Sequence, residues 1–158
     1  MDAYGLIPEP WDMMAFLDRV ARWRRRSIKV IGRDGDYWAT GENGDYLSGL
    51  CIWLDRVDVI LYRTDGGPLA AQHIIAHELA HLLAGHALSG DMSDCLESHD
   101  PIATPTREVL ERSCARSRFD DPDERFAEAF ADLLLTSVSR RGTPPQRRLA
   151  KILGRREI

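Results

Sequence analysis

From Leu69 to Leu83 the chain contains neither Gly nor Pro, and Ala and Leu dominate. Such a stretch favours helix. Asp65-Gly66-Gly67-Pro68 before it supplies a turn and a Pro suited to the first helical position. Gly85 after it suits the left-handed position that ends a helix. Together these signals predict a helix over 68–84. Apolar residues occupy nearly every side of it: Leu69, Ile74, Ile75, Leu79, Leu82 and Leu83. A helix that is apolar all round is a core helix, and the rest of the chain must be built around it. His77 and His81 would be buried with it, and buried imidazoles need partners.

The two histidines belong to His77-Glu78-Leu79-Ala80-His81, an HExxH pattern. Residues four apart on a helix share a face, about a turn apart, so both imidazoles can point at one metal ion. Glu78 is rotated by about 100° from His77, close enough to reach a water at that metal without ligating it. Two histidines and an adjacent carboxylate base are the parts of metal-assisted hydrolysis, with Zn2+ as the expected ion. The competing reading is a pair of hydrogen-bonded core histidines in a purely structural protein. A third ligand downstream separates the two.

The 158 residues suffice for one domain with its own core. With 44% hydrophobic and 29% charged residues the composition is that of an ordinary globular protein. A net charge of -4 argues against a general nucleic-acid binder. No apolar run is long enough to span a bilayer, and Met1-Asp2-Ala3-Tyr4 lacks the order of a signal peptide. Cys51, Cys95 and Cys114 include no C-x-x-C pair, so a cysteine-built zinc site is not expected. They read as reduced thiols in a cytoplasmic protein.

In chain order, an apolar stripe of Trp11, Met14, Phe16, Leu17, Val20, Ala21 and Trp23 predicts a helix over 10–26. Arg22, Arg24, Arg25 and Arg26 in its last turn read as a solvated, dipole-complementing end. A sheet is expected over 27–63. Ser27–Ile31 and Tyr37–Thr40 read as a hairpin about the turn Gly32–Asp36, and Leu50–Leu54 as a short apolar strand. Val57–Tyr62 feeds the central helix and is read as an edge able to pair with an extended peptide. Trp38 and Trp53 are read as sheet core. Ser89–Pro105 reads as a long surface loop, with His86 and His99 exposed and non-ligating, and Thr106–Arg116 as a short helix. Asp121 and Pro122 fit the cap and first position of a helix over 122–139, whose apolar positions include Phe126, Phe130, Leu133 and Leu134. A basic tail helix is expected over 144–155.

A catalytic zinc site takes three protein ligands and keeps one position open. The chain offers Glu124, Glu128 and Asp132, spaced four apart on one helix face. One acid can ligate while the next hydrogen-bonds the far nitrogen of a metal histidine and fixes its tautomer. On spacing alone, Glu124 with Glu128 and Glu128 with Asp132 fit equally well. A capping-box role three residues after Asp121 competes for Glu124, and a solvated face competes for Glu128.

His77-Glu78-Leu79-Ala80-His81-Leu82-Leu83-x-Gly85-His86, followed by Glu124-x-x-Ala127-Glu128-x-Phe130-Ala131-x-x-Leu134-Leu135, resembles the paired motifs of the ImmA/IrrE family of metallopeptidases. That family joins an HEL-x-H helix to a later E-x-x-A-(N/D/E)-x-F-A-x-x-L-L helix. The likeness runs from Leu61 to Leu135, roughly half the chain, and the second motif is the more specific. Thr136 and Ser137 stand where the family usually has Met-Pro, a departure in helix termination and not in the metal site. The resemblance implies Glu124 as the third ligand and Glu128 as the acid behind a metal histidine. It implies one α+β domain over 1–158, a minimal zincin. A short twisted β-sheet would lie beside the HExxH helix, and a C-terminal helix would carry the third zinc ligand. It further implies a cytoplasmic zinc endopeptidase acting on DNA-binding repressors of the XRE helix-turn-helix type. Many relatives carry an N-terminal DNA-binding domain. Too few residues precede the sheet here, so the partner and not this chain is expected to meet DNA.

In that scheme Glu78 is the general base. Tyr62, His73 and His86 are the candidate donors to the developing oxyanion. Two further readings compete. One is a non-cleaving antirepressor or toxin-type regulator with the same fold. The other is a deformylase, which would need Cys51 as a ligand.

Overall fold

Asp12 opens the first helix: its Oδ1 accepts the Ala15 N–H at 2.7 Å, satisfying a donor that a helix start leaves free. This helix, α1 (Met13–Arg24), buries Met13, Phe16, Leu17 and Val20, an i, i+3, i+4, i+7 stripe. It ends at Arg25, which is left-handed with φ 57°, and the Arg26 N–H closes on Ala21 O at 3.0 Å. The computed structural model describes residues 6–38, 48–53, 57–86 and 122–142. The remaining elements are β1 (Ser27–Arg33), a helical turn α2 (Gly35–Trp38), β2 (Gly49–Trp53), β3 (Val57–Arg63), α3 (Gly67–Ala84) and α4 (Pro122–Gly142). The fold is therefore α+β, with three longer helices and a small mixed sheet.

The strand order is β1-β3-β2, with β1 parallel and β2 antiparallel to β3. Side chains alternate across a strand, so Cys51 and Ile60 share one face. That face meets Phe16, Leu17 and Val20 of α1, Ile75, Leu79 and Leu82 of α3, and Ala131, Leu134 and Val138 of α4 in one apolar cluster. Leu50, Ile52, Val59 and Leu61 on the opposite face are buried as well. β3 thus carries apolar residues on both faces, as central strands do. Its one buried acid, Asp58, is fully enclosed and receives Arg24 and Arg26.

Several expectations are corrected. Tyr37 and Trp38 do not form a returning hairpin strand; they lie in α2, and 39–40 fall outside the described residues. Trp38 is wholly buried, with its indole N–H on Arg33 O at 3.2 Å. Gly32 had suggested a turn, but it lies within β1, paired with Tyr62 of β3; a Cβ there would stand 2.6 Å from Thr64 Cγ2 and 3.1 Å from the Tyr62 ring. Val57–Tyr62 is the centre of the sheet and not its edge, because β1 closes on it from the other side. The basic end of α1 is not simply solvated, because β1 follows at once and brings Arg24 and Arg26 over Asp58. Leu69 is 82% exposed on the first turn of α3, and on α4 Phe126 and Leu133 face outward. The expected loop 89–105 with His99, the short helix 106–116 and the tail helix 144–155 lie outside the described residues. No described helix is long and apolar enough to cross a membrane.

Candidate metal centre

The sequence of α4 sets how close it comes to α3. Glu124, Ala127, Glu128 and Ala131 follow one another at i, i+3, i+4 and i+7, one helical face. Ala127 and Ala131 are completely buried. Small side chains at a helix contact shorten the distance between axes, which brings the two carboxylates of that face within reach of α3. On α3, Pro68 starts the helix and Gly85, with φ 80°, ends it. His73, His77 and His81 fall between, one turn apart.

Three donor atoms converge. His77 Nε2 lies 3.2 Å from Glu124 Oε2, His81 Nε2 lies 3.4 Å from Glu124 Oε1, and the two Nε2 atoms are 3.1 Å apart. Ligands at about 2.0–2.1 Å around a tetrahedral cation are separated by about 3.3–3.4 Å. The observed distances, two of them to different oxygens of Glu124, are close to such edges. Among the described residues His77, His81 and Glu124 form a group that could hold a metal ion.

The other neighbour of His77 can set its tautomer. Glu128 Oε2 is 3.3 Å from His77 Nδ1. An ionised carboxylate only accepts, so a hydrogen on Nδ1 satisfies Glu128 and leaves a neutral ring with a bare Nε2. That lone pair faces the lone pairs of Glu124, an arrangement that needs a proton or a cation between them. The electrostatics agree. Burial opposes a charge on His77, yet the hydrogen bond to Glu124 and the Glu78 and Glu124 charges prevail and raise its pKa. Hydrogen bonds to His77 and then His81 hold Glu124 down at about 2.

Glu78 points elsewhere, as expected from its rotation about the helix. It is buried against β2, and burial pushes its pKa up to about 7. Gly49 makes room for it: a Cβ there would lie 2.6 Å from Glu78 Oε1. Two residues on, and so on the same face of β2, the Cys51 thiol hydrogen-bonds the Glu78 carboxylate; burial, then that carboxylate, push the thiol pKa well up. Sequence reasoning missed both partners. The signal available was the Gly49-x-Cys51 spacing in an apolar strand, which means nothing until the strand is placed beside α3. Cys51 is not in the His77, His81 and Glu124 group, which counts against the deformylase reading.

The three candidate donors are also placed. Tyr62 is the register partner of Gly32 in β1 and of Gly49 in β2, and its ring lies over Gly32. His73 Nε2 is 3.0 Å from Glu128 Oε1. His86 is not the exposed residue expected: its side chain is 25% exposed. Its Nε2 lies 3.3 Å from Asp123, and its ring packs between those of His81 and Phe126. Asp132 Oδ1 is 3.8 Å from His73 Nδ1, away from the converging ligands.

Comparisons of the chain with protein-family models, with curated proteins and with solved structures found no match.

Proposed function

We propose that this chain is a zinc-dependent endopeptidase of the ImmA/IrrE type, a zincin, that cuts one exposed segment of a specific protein partner. The observation that carries the reading is the convergence of His77, His81 and Glu124 with Glu78 one residue away on the same helix. The donor set, two imidazoles and one carboxylate, is that of catalytic zinc. A Zn2+ held there would supply Lewis acidity, polarising a peptide carbonyl and making water nucleophilic near neutral pH.

The chain's own residues supply the rest. Glu78, whose pKa burial pushes up to about 7 in the metal-free site, is the carboxylate beside the ligands that would accept a proton from water and return it to the leaving amine. The Cys51 thiol and the space above Gly49 hold its carboxylate beside β2. Among the described residues β2 pairs only with β3, so its outer edge can take an extended substrate strand past Glu78. β2 replaces Val57–Tyr62 in that role. The nature of the partner rests on the motif resemblance: a DNA-binding repressor of the XRE helix-turn-helix type, cut in an exposed linker.

The test mixes purified protein, Zn2+ and candidate XRE-type regulators, with Glu78→Gln as control. One discrete cleavage by the native protein alone is the expected result. A second reading, a non-cleaving antirepressor, is favoured by Phe126 and Leu133, which lie seven residues apart on one face of α4 and are 48% and 72% exposed. Loss of operator binding without cleavage, equal in native protein and control, would establish that reading instead.

A further inference from the structure

The least protected part of the site is the residue that fixes a ligand's tautomer. Glu128 has 57% of its side chain exposed, against 27% for Glu124 and 10% for His81. A long, exposed carboxylate holding one 3.3 Å contact would spend much of its time turned into water. Each excursion would free His77 to move its hydrogen to Nε2, the nitrogen a cation needs bare.

The structure gives that carboxylate a second anchor. Its other oxygen, Oε1, lies 3.0 Å from His73 Nε2, which must donate because the carboxylate only accepts. His73 and His77 stand one turn apart on α3, so the two rings grip the two oxygens of one carboxylate across the helix interface. We propose that His73 is a positioning residue of the metal centre, acting through Glu128 to hold His77 in its metal-binding tautomer; this rests on the metal site proposed above. The same cluster, with Asp132, could be taken for a second cation site. The nearest contacts instead place Glu128 and Asp132 on opposite nitrogens of the His73 ring, at 3.0 and 3.8 Å, although one ligand atom from each of the three lies within 4.8 Å of the others. Counting the bound Zn2+ therefore distinguishes a second cation site from a positioning role.

The experiment is Zn2+ titration of the metal-free full chain against a competing chromophoric chelator, with thermal unfolding of each metal-free variant as the fold control. His73→Ala removes no buried apolar group, since its side chain is 32% exposed. It should weaken Zn2+ binding about 3–10-fold, less than the roughly 10–100-fold expected for Glu128→Ala. In the Glu128→Ala background the same change should cost less than about 2-fold, because the route through Glu128 is gone. His73→Gln, whose amide N–H can still donate, should recover most of the native affinity. Unchanged affinity in His73→Ala, or losses that simply add in the double variant, would overturn the assignment. So would a second Zn2+ per chain that disappears with His73. If the native protein binds no Zn2+, or His81→Ala binds it equally well, the metal site itself is wrong and the assignment falls with it. That failure is visible before any His73 variant is made.

Discussion

Gly49 and Glu78 compete for one space: a Cβ on Gly49 would stand 2.6 Å from Oε1 and 2.8 Å from Cγ of Glu78, with Ile74 Cγ2 also at 2.6 Å. The Glu78 carboxylate and a residue of the neighbouring strand are thus matched in size. Gly49→Ala must push Glu78 or the strand aside. Overpacking of this kind costs about 1–3 kcal/mol, to be read from thermal unfolding. Zn2+ stoichiometry should stay at the native value, because His77, His81 and Glu124 lie off this contact, while peptide hydrolysis falls steeply. A variant as active as the native protein would show that Glu78 does not need this position.

Glu78→Gln tests the proposed base apart from the proposed ligands. The amide keeps the shape of the side chain but cannot take a proton from water. Metal content by elemental analysis should be unchanged and cleavage lost. Retained cleavage would remove Glu78 from the chemistry.

Much of this was legible in the sequence, and the reasons differ by element. His77, Glu78 and His81 could be read because helical periodicity is local: spacing alone fixes their relative directions. α3, with Pro68 in its first turn and Gly85 as its C-cap, was legible for the same reason. Spacing left Glu124 and Glu128 open and only the resemblance favoured Glu124, because which carboxylate meets the histidines depends on how far α4 slides along α3, where Ala127 and Ala131 are buried. Strand order was lost for a related reason. Gly32 looks like a turn residue in the one-dimensional pattern, whereas Thr64 and Tyr62, close to it in space, leave no room for a side chain there. The Glu78 partners on β2 and the Asp58 network belong to the same class of long-range pairing.

Asp58 carries a stability prediction. It is fully buried, with the guanidiniums of Arg24 and Arg26 on its two oxygens. Asp58→Ala leaves both cations without their acceptor. Removing one partner of a buried pair costs about 3–5 kcal/mol. The partial exposure of Arg24 and Arg26, 15% and 34%, lets them reach water and puts the expected loss at the lower end. Chemical denaturation checks it, and a loss below about 1 kcal/mol would class the network with surface ion pairs.

The two carboxylates of α4 should rank in a fixed order. Glu124 touches both Nε2 atoms, while Glu128 reaches the far nitrogen of His77 and, with its other oxygen, His73. Glu124→Ala should therefore weaken Zn2+ binding more than Glu128→Ala, whose loss is about 10–100-fold. Competitive chelator titration measures both. The reverse order would make Glu128 the ligand and shift the register of the centre by one turn.

The metal-free site should make stability depend on pH with a definite sign. Glu124 is held down at about 2 from an ordinary 4.5, so its contribution is complete above 4.5 and lost as pH falls toward 2. Glu78 runs the other way. Its folded pKa is about 7 against 4.5, so from 4.5 to 7 the folded chain keeps a proton that the unfolded chain has released. Stability then falls as pH rises, by up to about 1.4 kcal/mol per pH unit for one proton. His77, raised above 6.5, adds stability that is present below 6.5 and lost as pH rises through its folded pKa. The metal-free protein should therefore be more stable near pH 5 than near pH 8, and Glu78→Gln should flatten the decline between 4.5 and 7. Zn2+ should reverse the trend: it binds the folded state and needs neutral imidazoles, so its stabilisation grows from pH 5 to 8. Thermal unfolding across this range, with and without Zn2+, provides the check. Parallel curves for the two forms would mean that the cation does not bind at His77 and His81.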